Sequence, residues 1–192
     1  MNFLAHFFLS GTDEPLMAGN FLGDYLNNQQ VAALPDAVQE GVRLHRQIDS
    51  FTDQHPLVRK GVRRMYGRHS KYATVLIDIF YDYLLTVNWA GFAAEPLPDF
   101  AQRAYRALEK HLHLMPEPVR SYVPQMIADD WLQKYGTYDG IAYTLKRMGG
   151  RMSRPELMDG ALDTLRQQLP ELNQEFQVFF PQVMDFVGLP KP

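Results

Sequence analysis

Two pairs of side chains at helical spacing, His45-x-x-x-Asp49 and Asp78-x-x-x-Asp82, hold the chemistry most open to this chain. Residues four apart lie on one face of an α-helix, one turn above the other. Each pair therefore aims two metal-competent groups in one direction. LHRQID breaks an apolar pattern with charge, and VLIDIFYDYLL sets two carboxylates inside a strongly hydrophobic run. A buried acid must be paired, hydrogen-bonded or bound to metal. Two acids one turn apart repel each other, and a divalent cation relieves that repulsion. A plainer account has Asp78 or Asp82 capping a neighbouring helix or pairing with Arg43 or Arg46, as structural ion-pair networks do.

Two more polar residues stand in apolar surroundings. His6 sits between Ala5 and Phe7, and Asp24 lies in GNFLGDYL beside Gly23, which permits close backbone approach. Either alone suits a satisfied core residue. Together, His6, Asp24, His45, Asp49, Asp78 and Asp82 come from four helical segments, as in sites built between facing helices of a bundle. Imidazole and carboxylate without sulfur suit Mn²⁺, Fe²⁺ or Mg²⁺, with Zn²⁺ also compatible. Such a centre polarises a phosphoryl oxygen and acidifies a bound water, so metal-assisted hydrolysis at phosphorus is the implied chemistry.

Accessory residues fit this reading or a simpler one. Arg46 follows His45, and its guanidinium fork matches either phosphate oxygens or a nearby acid. Thr52-Asp53-x-His55-Pro56 reads as a helix junction capped by Asp53, or as a set of groups supporting the metal ligands. Between Val58 and Lys71 lie Arg59, Lys60, Arg63, Arg64, Arg68 and Lys71, with no acid among them. That strip is a solvated surface helix or a docking face for an acidic partner.

The elements that must position these groups read as helices nearly throughout. No useful segment alternates with the period of two that marks a half-buried strand. Expected helices cover 2–9, then run from Thr12 or Asp13 with Pro15 to about Asn28. Others run from Pro35-Asp36 to about Thr52 or Asp53, from there through Arg68, and over 71–89. After a loop at 90–98 come helices near 98–113, 117–135 and 137–149. Leu165, Leu169, Leu172, Phe176, Phe179, Val183 and Phe186 form a core-facing stripe, which Pro170 and Pro181 should interrupt or kink. The fold class is all-α, a single-domain helical bundle spanning 1–192.

Composition bounds the rest. With 46% hydrophobic residues the chain can build an ordinary core. No run approaches the ~20 apolar residues of a membrane span. The apolar start, MNFLAHFFLSG, lacks a basic region and does not read as a signal peptide. The absence of cysteine excludes disulfides, thiolate metal sites and cysteine nucleophiles. A cytoplasmic protein is expected. A net charge of −3 argues against a general nucleic-acid binder.

MNFLAH, GNFLGDY, LHRQIDSFTDQHP and IDIFYDYLL, with DFAQRAY, MIADDWL and the late FFPQ, resemble the acyl carrier protein phosphodiesterase family almost end to end. The resemblance implies an all-helical fold distantly related to the HD-type metal phosphohydrolases. It further implies Mn²⁺-stimulated removal of 4′-phosphopantetheine from the serine of holo-acyl carrier protein. It makes Asp24 an acid needed for activity, and His6, His45, Asp49, Asp78 and Asp82 candidate ligands. Arg46 would then stabilise charge on the phosphoryl group, and the strip from Arg59 to Arg68 would receive the acidic carrier. The family pattern commonly has histidine after the second aspartate of the DxxxD motif, where this chain has Tyr83. Two other readings stay open: an HD-like hydrolase of a nucleotide or small phosphodiester, and a non-enzymatic helical binding protein whose polar motifs form a buried ion-pair network.

Overall fold

The computed structural model describes residues 1–150 and 152–190, and among them there is no β-strand. Eleven α-helices follow one another among the described residues: α1 (Phe3–Leu9), α2 (Glu14–Leu22), α3 (Asn28–Ala32), α4 (Asp36–Gln54), α5 (Pro56–His69), α6 (Ala73–Val87), α7 (Leu97–Lys110), α8 (Val119–Ala128), α9 (Trp131–Lys134), α10 (Tyr138–Gly149) and α11 (Ala161–Phe186). The all-helical expectation holds. No helix among the described residues is long and apolar enough to cross a membrane.

Helix starts follow local chemistry. The Asp13 side chain accepts from the Leu16 amide and Pro15 sits in the first turn of α2, as the sequence suggested. At the junction of α4 and α5 the cap is His55, whose Nδ1 accepts from the Leu57 amide; α4 runs through Asp53. The expected helix to Asn28 stops at Leu22, so Asp24 lies in the turn that follows. A second expected helix, near 117–135, is broken between α8 and α9 by Asp130 in the left-handed region at φ 49°. There the Tyr105 hydroxyl donates to Asp130 Oδ1 and accepts from the Leu132 amide, holding the break.

Helix α11 continues through both prolines. Each proline removes a helix hydrogen bond, a loss of about 3 kcal/mol in an isolated helix interior. Leu165, Leu172, Phe176, Phe179 and Val183 are all fully buried on either side of Pro170 and Pro181, and that shared apolar stripe holds the helix together. Phe186, expected in the stripe, is 49% exposed and stacks on Phe51.

The site is positioned by α1, α2, α4 and α6. Helices α2 and α4 approach closely enough that a Cβ on Gly19 would lie 2.0 Å from the Val38 carbonyl oxygen, and one on Gly41 2.3 Å from that of Leu16. Only glycine allows this approach. At its end, Gly23 leaves room for the His45 ring, 2.2 Å from where its Cβ would sit. The same close packing therefore sets Asp24 over His45.

Candidate metal centre

Three elements deliver the polar groups. Helix α1 supplies His6, α4 supplies His45 and Asp49, and the turn after α2 supplies Asp24. One ligand atom each from His6, His45 and Asp49 lies within 4.8 Å of the others. His45 Nε2 lies 3.0 Å from Asp49 Oδ2 and 3.2 Å from Asp24 Oδ1, and His6 Nε2 lies 3.2 Å from Asp49 Oδ1. The two imidazoles stack at 4.1 Å between centroids. Both are buried, Asp49 is partly so, and the Asp24 side chain is 62% exposed.

Hydrogen bonding fixes the tautomer of His6. Asn20 Nδ2 donates to the His6 carbonyl and to Ser10 Oγ, which turns its Oδ1 toward His6 Nδ1 at 2.7 Å. His6 Nδ1 must therefore donate, leaving a lone pair on Nε2. Burial, only partly offset by the nearby Asp49 carboxylate, pushes the His6 pKa down to about 4, so the ring is neutral at pH 7. Its buried Nε2 has no hydrogen-bond partner among the described residues. A lone pair thus faces an acceptor oxygen of Asp49 with no proton between them. A cation satisfies both.

The charges agree. Burial opposes ionisation of Asp49, but His45, His6 and the Met1 amine outweigh it and hold its carboxyl well below the usual range. Burial likewise opposes the charge on His45, and the carboxylates of Asp24 and Asp49 overcome it, raising its pKa to about 9. His45 must release that proton before Nε2 can bind a metal. His45 also holds the Asp24 pKa down. The Met1 amine already bridges two carboxylates, 3.3 Å from Asp49 Oδ1 and 3.1 Å from Asp78 Oδ1. Asp78 and Asp49 outweigh burial there and raise its pKa to about 10. Two imidazoles and the Asp49 carboxylate suit Mn²⁺, Fe²⁺ or Zn²⁺, and Mg²⁺ less well.

The remaining candidates fall elsewhere. Asp82 is fully buried, and its two oxygens accept from the amides of Leu4 and Ala5 at 2.9 and 3.1 Å. It caps the helix that carries His6. Burial nonetheless pushes its pKa up to about 7. Asp78 faces the Met1 amine, and burial raises its pKa too. Arg46 is exposed and lines a separate groove with Phe51, His55 and Phe186. His55 Nε2 meets Gln182 Oε1 and does not join the cluster. Tyr83 is buried against the ring of Tyr138.

The basic strip divides. Arg64 grips buried Glu175 with both terminal nitrogens, at 2.7 and 2.6 Å, and Lys60 joins them at 3.0 Å. Arg68 packs against Gly160, and Arg59 Nε donates to the Asp53 carbonyl. Arg59, Lys60, Arg63 and Arg68 are exposed, and Arg59 and Arg63 line a groove together with Asp53 and Asp78.

Asn20 went unread in the sequence. An amide four residues before Asp24 in an apolar helix was the available signal. So did the cavity beyond Asp24, walled by Tyr122, Trp131, Tyr135 and Arg147.

An all-helical scaffold that brings His6, His45 and Asp49 together, with Asp24 against His45, defines a candidate metal site. The family model for acyl carrier protein phosphodiesterase matches residues 1–183, and the chain belongs to that family. It is 29% identical to the acyl carrier protein phosphodiesterase of Photorhabdus laumondii subsp. laumondii over the whole of both chains. It is 28% identical to that of Yersinia enterocolitica and 29% to that of Serratia proteamaculans, each over 96% of both chains. No solved structure matches it.

Proposed function

We propose that this chain is a divalent-metal-dependent phosphodiesterase that removes 4′-phosphopantetheine from the serine of holo-acyl carrier protein, leaving apo-carrier protein in the cytoplasm. Family membership over nearly the full length makes it a hydrolase acting on a phosphodiester bond. One observation carries the metal dependence: the neutral lone pair of His6 Nε2 faces Asp49 Oδ1 at 3.2 Å with no proton to share.

His6, His45 and Asp49 would hold the ion, Mn²⁺ first and Mg²⁺ or Fe²⁺ as substitutes. When bound, the ion supplies Lewis acidity toward a phosphoryl oxygen and acidifies water. Asp24, exposed and ionised at pH 7, would orient the attacking water and accept its proton. Asn20 and Ser10 keep His6 in the required tautomer, and Asp82 anchors its helix. Asp78 and the Met1 amine border the cluster, and Arg46 takes no part in the chemistry. An acidic carrier protein is steered to exposed Arg59, Lys60, Arg63 and Arg68.

The test treats purified protein with chelator, then supplies holo-acyl carrier protein with and without Mn²⁺ and weighs the carrier. Metal-dependent loss of the phosphopantetheine mass is expected. Cleavage that survives chelation would remove the metal from the mechanism, and no cleavage with Mn²⁺, Mg²⁺ or Fe²⁺ would remove the carrier as substrate.

A further inference from the structure

A cavity of about 380 Å³ opens beside the candidate metal site, and Asp24 lines it while meeting His45 of that site. That volume suits a drug-sized organic group. Its walls are chiefly aromatic, from Phe3, Tyr25, Tyr122, Trp131, Tyr135 and Tyr143, with Met148 and Met152. Asn2 and Thr144 add polar groups, and Arg147 and Asp24 are its charged members.

The cavity is built and held in place. Asn2 Nδ2 donates to the Tyr135 hydroxyl, Tyr122 donates to Tyr25, and Tyr143 donates to Asp129 Oδ2. Tyr122 lies nearly parallel to Trp131, and the Arg147 guanidinium sits 3.4 Å from the Trp131 ring centroid. The cation is thus already engaged with an aromatic face. The Trp131 indole N–H has no acceptor among the described residues. An uncharged ligand with alkyl groups and amide carbonyls matches such walls. Arg147 and Tyr122 lie against the Trp131 ring and leave less of it for a nucleobase to stack on.

We propose that this cavity receives the pantetheine arm of the substrate, with its phosphate end toward Asp24 and its two amides and thiol end inside. The inference rests on the phosphodiesterase reading given above. It makes Trp131, Tyr135 and Thr144 specificity-determining residues. The carrier protein contributes the docking surface, and the arm contributes the group that the cavity recognises.

Thr144→Trp tests this, because Thr144 lines the cavity and its hydroxyl bonds only to Gly140 of its own helix. The variant should raise KM for holo-acyl carrier protein about tenfold while kcat changes less, since ground-state and transition-state contacts with the arm are lost alike. Met148→Trp fills the same cavity and replaces it should the first variant melt early. In parallel, saturation-transfer NMR with free pantetheine should show binding to wild type and to Asp49→Asn, and none to Thr144→Trp. An unchanged KM, no transfer from millimolar pantetheine, or transfer from adenosine in its place would overturn the assignment. Cleavage of holo-carrier without pantetheine binding sinks the cavity assignment alone. Pantetheine binding without cleavage leaves the cavity assigned and sinks the phosphodiesterase reading.

Discussion

Helices α4 and α6 each carry a polar pair at i,i+4 spacing, His45/Asp49 and Asp78/Asp82, yet the two faces have opposite character. On α6, Asp82 is fully buried with both oxygens accepting from backbone amides, and Asp78 faces an amine. On α4, His45 and Asp49 face the unprotonated nitrogen of His6, and Asp24 closes from the turn after α2. The α6 pair is satisfied by the protein itself. In the α4 cluster the lone pair of His6 Nε2 meets an oxygen of Asp49 with no donor between them, and on the reading proposed above that separates a ligand from a structural acid.

The sharpest way to break the comparison is Asp49→Asn. Losing the anion that meets both imidazoles should lower kcat/KM for holo-acyl carrier protein about a thousandfold, on the order of 4 kcal/mol. Mn²⁺ binding by calorimetry should disappear with it. A variant that still binds Mn²⁺ with wild-type affinity would place the metal elsewhere.

The next effect is on stability. Arg64→Gln strips Glu175 of its two-pronged partner and leaves it buried beside Lys60, whose side chain is 60% exposed. Removing one partner of such a pair should destabilise by about 3 kcal/mol. Denaturant unfolding reads this directly. Mn²⁺ affinity should not move, because Arg64 belongs to the satisfied class.

Asp82→Asn separates the two faces most cleanly. The amide keeps one acceptor oxygen but sets an NH₂ group against the Leu4 or Ala5 amide, and about 2 kcal/mol of stability should be lost. Mn²⁺ affinity should fall far less than in Asp49→Asn, because Asp82 reaches the cluster only through the helix that carries His6. A collapse of metal binding with little change in stability would instead make Asp82 a ligand.

The sequence disclosed the parts of this site and not their division of labour. His6, Asp24, His45 and Asp49 stood out because charge interrupts apolar helical faces. Asp78 and Asp82 stood out for the same reason, and nothing in their own spacing says that the start of α1 lies opposite Asp82. That pairing joins residues 78 apart in the chain. Helix starts at Asp13 and Pro35 were legible because caps and prolines act locally. The stop at Leu22, the break at Asp130 and the continuity of α11 depend on His45, Tyr105 and the shared core, which lie far away in sequence. Arg46 illustrates the same limit: its neighbour His45 faces the cluster, while one step around the helix points to another groove.

The smallest effect sharpens the division within the basic strip. Arg63 is exposed and shares its groove with Arg59 and Asp78, whereas Arg64 is held by Glu175. Arg63→Glu should therefore leave unfolding unchanged and raise KM for the carrier several-fold at low salt, by weakening the steering of an acidic partner. Screening shortens the reach of exposed charges to about 8 Å at physiological ionic strength, so the gap from wild type should narrow as salt is added. Adding Arg59→Glu should widen it again, because both side chains line one groove. If neither reversal moves KM at any salt concentration, the carrier approaches from another face, and the exposed arginines of α5 serve only to keep that helix in water.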